Sequence, residues 1–250
     1  IRLSLVGSEM CIRDSSRPRG FTLLETVIAI GVLAVLLTGF MVVFAPAAEG
    51  IRKSINVQQA DRLASTLEQE LVTLRGTEST DFKTGFNKAY DWIKQSSEAA
   101  NGIMIYQYRG EVGGQLRPDG TPEPVESLRD KLPGKDYVVV PMVRRTSDTA
   151  DFNADLKAIE GSVYLVKCTQ LIFDGGELTL GTPGEIKDPK GDAGGGGADP
   201  DTYPEAVIAF SADFFMMPAK TPAYFSGSAY TTKFPDLKNP VFTRNLAVRR

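Results

Sequence analysis

One acid stands in a long apolar run. Glu25, five residues after Gly20, is the only ionisable side chain among the 28 residues from Phe21 to Ala48. A carboxylate in such surroundings is costly unless it meets a counter-charge or stays where water reaches it. Its chemistry is therefore neutralisation: either a cation is brought to Glu25 inside an apolar environment, or Glu25 sits at a bilayer interface among water and headgroups.

Other chemistry is sparse. The 250 residues contain no histidine, which removes the commonest general base, the Ser-His and Cys-His nucleophile pairs and imidazole metal ligands. Asp188, Asp192, Asp199 and Asp201 lie in the stretch GTPGEIKDPKGDAGGGGADPDTYP, residues 181–204, and offer the oxygen ligands that calcium accepts. Their spacing is not that of an EF-hand, and four consecutive glycines would lose much entropy on ordering, so the stretch is read as a mobile surface loop and calcium as its alternative. No other metal and no cofactor is expected. GEVGGQ at 110–115 and the tetraglycine lack the strand context and the lysine of a phosphate loop. Cys168 sits in GSVYLVKCTQLIF, a strand-like run where a cysteine serves as a small buried side chain rather than a reactive thiol. The chain ends on Arg244, Arg249 and Arg250, but the formal net charge is -3 and no aromatics interleave with these arginines, so nucleic acid is not an expected partner.

The elements that must position Glu25 follow from periodicity. Twenty-eight residues form a helix of about 42 Å, more than the roughly 30 Å of a bilayer core. Gly31 and Gly39 are tolerated in membrane helices, and Pro46 falls near the far end, where a missing donor bends the axis. Arg17 and Arg19 precede the run while Arg52 and Lys53 follow it, so flanking charge does not set the orientation. Ile51, Ile55, Leu63, Leu67, Leu71 and Leu74 continue an apolar stripe on one helical face, predicting a helix from about Phe21 to Arg75 closed by Gly76.

Beyond it, residues 78–101 read as one or two short helices with Phe82, Phe86, Tyr90 and Ile93 at helical spacing and Trp92 in a packing role. Strand candidates recur at 103–108, 137–143, 161–173, 206–217 and the carboxyl end, and DGGEL at 174–178 reads as a hairpin connection. SADFFMMP within the fourth strand is expected to alternate, with about half of it buried. These elements define an α+β fold, a long N-terminal helix packed on an antiparallel β-sheet domain.

The stretch RGFTLLETVIAIGVLAVL resembles the type III signal of type IV pilins and type II secretion pseudopilins. The glycine precedes the apolar run, whereas a secretory signal places its small-residue cleavage site after it. The resemblance implies cleavage between Gly20 and Phe21 by a prepilin peptidase, methylation of the new amino terminus at Phe21, and retention of the helix. It also implies that Glu25 neutralises the Phe21 amine of a neighbouring subunit during assembly. The implied layout is a leader at 1–20, a helix at 21–76 that is transmembrane to about 48, and a periplasmic pilin-like domain at 77–250. The implied setting is a single-pass anchor in a bacterial inner membrane, with prepilin peptidase/methyltransferase and other pilin or pseudopilin subunits as partners. On this reading the chain is a structural subunit, not an enzyme, and a minor rather than major one. A minor pilin specialised for adhesion or DNA uptake is the alternative, and a membrane-anchored enzyme a third reading. VGSEMCIRDS, near the start, is similar to a translated transposase sequencing adapter, so residues 1–15 are read as a library scar and not as native leader.

Overall fold

The computed structural model describes residues 22–76, 78–189 and 199–250. Cα packing divides the chain into two compact units, one ending at Ile51 and one running from Arg52 to Arg250.

The first unit is the amino-terminal part of helix α1, which as a whole spans Leu23–Val72. Its start is set by Thr22, whose hydroxyl oxygen accepts the Glu25 N–H at 3.2 Å and so satisfies one of the free donors of the first turn. The hydroxyls inside the apolar stretch bond back to the helix, Thr26 to the Leu23 carbonyl and Thr38 to the Ala34 carbonyl, each at 2.8 Å. Both polar groups are thereby satisfied without a partner from outside. The helix runs on through Pro46.

In the second unit, α1 is followed by α2 (Glu78–Asp81), α3 (Gly85–Gln95), strand β1 (Ile103–Glu111), β2 (Tyr137–Arg145), α4 (Thr149–Leu156), β3 (Ile159–Asp174), β4 (Glu177–Leu180), β5 (Val207–Met216), α5 (Pro222–Ser226), α6 (Ser228–Lys233) and β6 (Phe242–Arg249). The strands form one antiparallel sheet in the order β2-β1-β3-β5-β6, with β4 pairing the far end of β3. The β3–β4 turn needs positive φ at two successive residues, and Gly175 and Gly176 supply it at 60° and 91°.

Each face of the sheet has its own core. On one face Ala60, Leu63, Ala64, Leu67 and Leu71 of α1 pack with α3 and with Ile105, Tyr164, Val166 and Phe210. On the other, Phe152 of α4 and Phe225, Tyr230 and Phe234 of the α5–α6 segment cover Met104, Tyr106, Leu165 and Phe215. In SADFFMMP, Ser211, Ala212, Phe214, Phe215 and Met217 are buried and Met216 and Pro218 are exposed, and buried side chains face both ways because helices cover both sides of β5. Helix α4 and the α5–α6 pair, too short for clear periodicity, are additions to the expected elements.

The apolar stripe on α1 is corrected. Its packed portion begins at Ala60, whereas Ile51 and Ile55 are 61% and 56% exposed. The helix ends at Val72, not Arg75, for two local reasons. Lys88 Nζ takes the Thr73 carbonyl at 2.7 Å, and the backbone of Gly85 lies so close to Val72 that a Cβ there would run into its carbonyl. Gly76 still turns the chain, at φ +48°. Residues 181–189 and 199–204 also depart from a mobile surface loop. Ile186 and Tyr203 are core residues, and Gln170 bonds both the N–H and the carbonyl of Lys187 at 2.7 Å. Residues 190–198, with Asp192 and the tetraglycine, lie outside the described residues.

Candidate functional site

The site begins at the amino end of α1. Glu25 is the third residue of the helix, in its first turn, where the unbonded N–H groups favour a negative charge by about 0.3–1 kcal/mol. That is far below the several kcal/mol needed to hold an isolated carboxylate in hydrocarbon, so the helix end alone does not explain the acid. Around it the apolar side chains from Leu23 to Phe44 are all exposed within the chain. The most apolar 18-residue window of α1 has a mean hydropathy of 2.8 and none of it is buried. Gly31 and Gly39 have nothing within 4 Å of where a Cβ would stand. Gly20 and Phe21, the expected cleavage and methylation positions, lie outside the described residues.

The remaining candidates are dispersed. Asp201 accepts Lys83 Nζ at 2.7 Å and Asn87 Nδ2 at 3.2 Å, and these bonds hold its carboxyl below the usual range. Asp199 Oδ1 accepts the Asp201 N–H at 2.9 Å in a local turn, and Asp188 lies on the other described side of the loop. Among the described residues no group of three His, Cys, Asp or Glu side chains is arranged to hold a metal ion. Cys168 is buried in the sheet, and burial pushes its thiol up to about 12, so it is protonated and inert at neutral pH. Arg244 pairs with Asp61 at 3.1 Å. The Arg250 guanidinium donates to the Pro200 and Tyr203 carbonyls and lies over the Phe86 ring. Arg244 and Arg250 thus have partners within the domain, and Arg249 and Arg250 are exposed.

Sequence reasoning missed two buried charge clusters, because their members come from distant elements with no shared spacing. Lys88 on α3 reaches Glu70 on α1 and Glu78 on α2, and Arg75 Nε closes on Glu70 at 2.6 Å. In the second cluster Asp155 accepts the Tyr106 hydroxyl at 2.7 Å and Arg144 Nε at 2.9 Å. Arg117 Nη1 lies 2.8 Å from its other oxygen, in ionic contact without hydrogen-bond alignment. Burial, reinforced by the Asp155 charge, pushes the Tyr106 phenol well above its ordinary value, so it stays a hydrogen-bond donor.

A long apolar amino-terminal helix and an antiparallel sheet domain make this an α+β chain of pilin-like arrangement. Residues 15–41, 27 of the 250, match the model of the prokaryotic N-terminal methylation motif. The motif implies processing by a prepilin peptidase and assembly with other pilin subunits, and with the one long apolar helix among the described residues it is consistent with membrane anchoring. It marks structural rather than enzymatic proteins. No curated protein and no solved structure matches the chain.

Proposed function

We propose that the chain is a prepilin processed between Gly20 and Phe21, methylated at Phe21, and assembled as a minor subunit of a type IV pilus or type II secretion pseudopilus. The observation that carries this reading is Glu25: a carboxylate in the first turn of an exposed apolar helix, inside a matched methylation motif. From Leu23 to Ala48 that helix is about 39 Å long, enough to wait in a bacterial inner membrane with the sheet domain on the periplasmic side. Cleavage creates an amine at Phe21, and the Glu25 of an adjoining subunit neutralises it where neither charge could stay alone. The resulting ion pair fixes the axial register of the helices.

The processing step is tested by grafting a native-length leader before Ser16, coexpressing the chain with a prepilin peptidase, and determining the mature amino terminus by mass spectrometry. Methylated Phe21 is the expected result. An uncleaved chain, beside a known prepilin processed in parallel, would overturn the reading.

A further inference from the structure

The β3–β4 hairpin carries an apolar patch that the described residues leave open. Leu171 stands opposite Leu180 and Phe173 opposite Leu178, so all four lie on one side of the hairpin. Leu171 is buried, but Phe173, Leu178 and Leu180 are 54%, 52% and 64% exposed. Helices α4 to α6 cover Leu165 on that same side of β3, and the cluster they form stops short of Phe173. The turn beside the patch is acidic. Asp174 follows Phe173 and Glu177 precedes Leu178, both exposed and without an ion pair among the described residues.

A second open patch lies on α1. Ile51 and Ile55, one turn apart and exposed, share a helical face with Arg62, and Arg52 borders it. Both arginines are exposed and without an ion pair among the described residues. Lipid does not cover this patch on the anchor reading, because Leu23 to Ala48 already exceeds the bilayer core. The hairpin of the same chain does not reach it either. The Tyr164 hydroxyl donates to the Asn56 carbonyl at 3.1 Å, and β3 then runs roughly 33 Å to Asp174. One chain thus holds two separate apolar patches whose flanking charges are opposite in sign.

We propose that the β3–β4 hairpin of one copy docks on the Ile51–Ile55 face of α1 in a second copy. Phe173, Leu178 and Leu180 cover the two isoleucines, and Asp174 and Glu177 meet Arg52 and Arg62. The contact joins two different surfaces, so it runs head to tail, with the copies staggered along α1. It rests on the filament reading for its setting and not on the residues at the processing site.

The test mixes two versions of the full chain in dodecyl maltoside, both carrying C11S, one with L178C and one with I55C, and oxidises them with copper phenanthroline. Cys168 is buried and stays silent. Non-reducing electrophoresis reads the covalent pair, and K53C, on the opposite side of α1, replaces I55C as the control. The expected yield with I55C is about tenfold that with K53C, falls about tenfold when D174K/E177K is added to the L178C chain, and recovers when R52E/R62E is added to the I55C chain. No pair above the control, a yield indifferent to the first reversal, or no recovery with the second would overturn the proposal. So would a link in bacterial membranes from L178C to a different protein in place of the second copy. None of these changes touches Gly20, Phe21 or Glu25, so a failed contact is distinguishable from failed processing, which the mature amino terminus reports.

Discussion

Lys88 Nζ lies 2.9 Å from Glu70 Oε1, with the two side chains 0% and 3% exposed. The ammonium spends its other N–H groups on Glu78 at 2.8 Å and on the Thr73 carbonyl at 2.7 Å, and it lies over the Trp92 ring. One buried cation thus ties the end of α1 to α2 and α3. Such a pair adds little over an apolar substitute but is costly to break from one side, because the remaining charge stays buried.

K88M should accordingly lower the stability of the chain by about 3 kcal/mol, since Glu70 would keep only Arg75. The double variant E70Q/K88M should lose less than the sum of its single changes. Urea denaturation of both, followed by circular dichroism, checks this. A loss in K88M below about 0.5 kcal/mol, the scale of an ordinary surface change, would mean that the network carries no structural load.

Asp119 makes part of the fold acid-sensitive. Burial by itself would raise its carboxyl, but the bonds from Thr121 and the charge of Arg144 outweigh it and hold the group below the usual range. A carboxyl depressed in the folded state contributes stability above its unfolded value and loses it as pH falls through the folded one. D119N should therefore be less stable than the parent at neutral pH, and the difference should shrink as pH falls through the folded-state value of the Asp119 carboxyl. Thermal unfolding at pH 7 and at pH 2.5 distinguishes this from a difference that persists in acid.

Asp148 should behave oppositely. Its carboxyl is raised, so the folded chain holds the proton more tightly than the unfolded one and loses stability as pH climbs through that window. D148N keeps an oxygen for the Arg145 N–H and removes the charge, so it should raise the melting temperature at pH 7 by a few degrees and have little effect near pH 3.

Glu25→Gln should leave cleavage and methylation intact and weaken assembly. An amine left without its counter-charge in an apolar filament costs about 3 kcal/mol, roughly a hundredfold in the assembly equilibrium. The ratio of subunit in sheared filaments to subunit in the membrane measures it. Equal incorporation of the variant would remove Glu25 from the assembly step.

The sequence by itself determined the amino-terminal device and the class of fold. The apolar run, its lone acid and the preceding glycine are contiguous, and a helix in lipid satisfies its own backbone, so little beyond local order is needed to read them. The antiparallel strands were legible for a similar reason: β3 and β5 are long apolar runs bounded by turn residues, and Gly175–Gly176 marks the β3–β4 hairpin. Tertiary structure alone decided the rest. Lys88, Glu70 and Glu78 are 8 to 18 residues apart in sequence with no shared period, and Tyr106 meets Asp155 across 49 positions. Helix α1 stops at Val72 because Gly85 and Lys88 close on it from another helix, and β5 is buried on both faces because α4 to α6 return to cover it. Buried ion pairs and covered faces depend on which surfaces meet, and that is set by packing in three dimensions, for which a linear pattern of residue types holds no local signal.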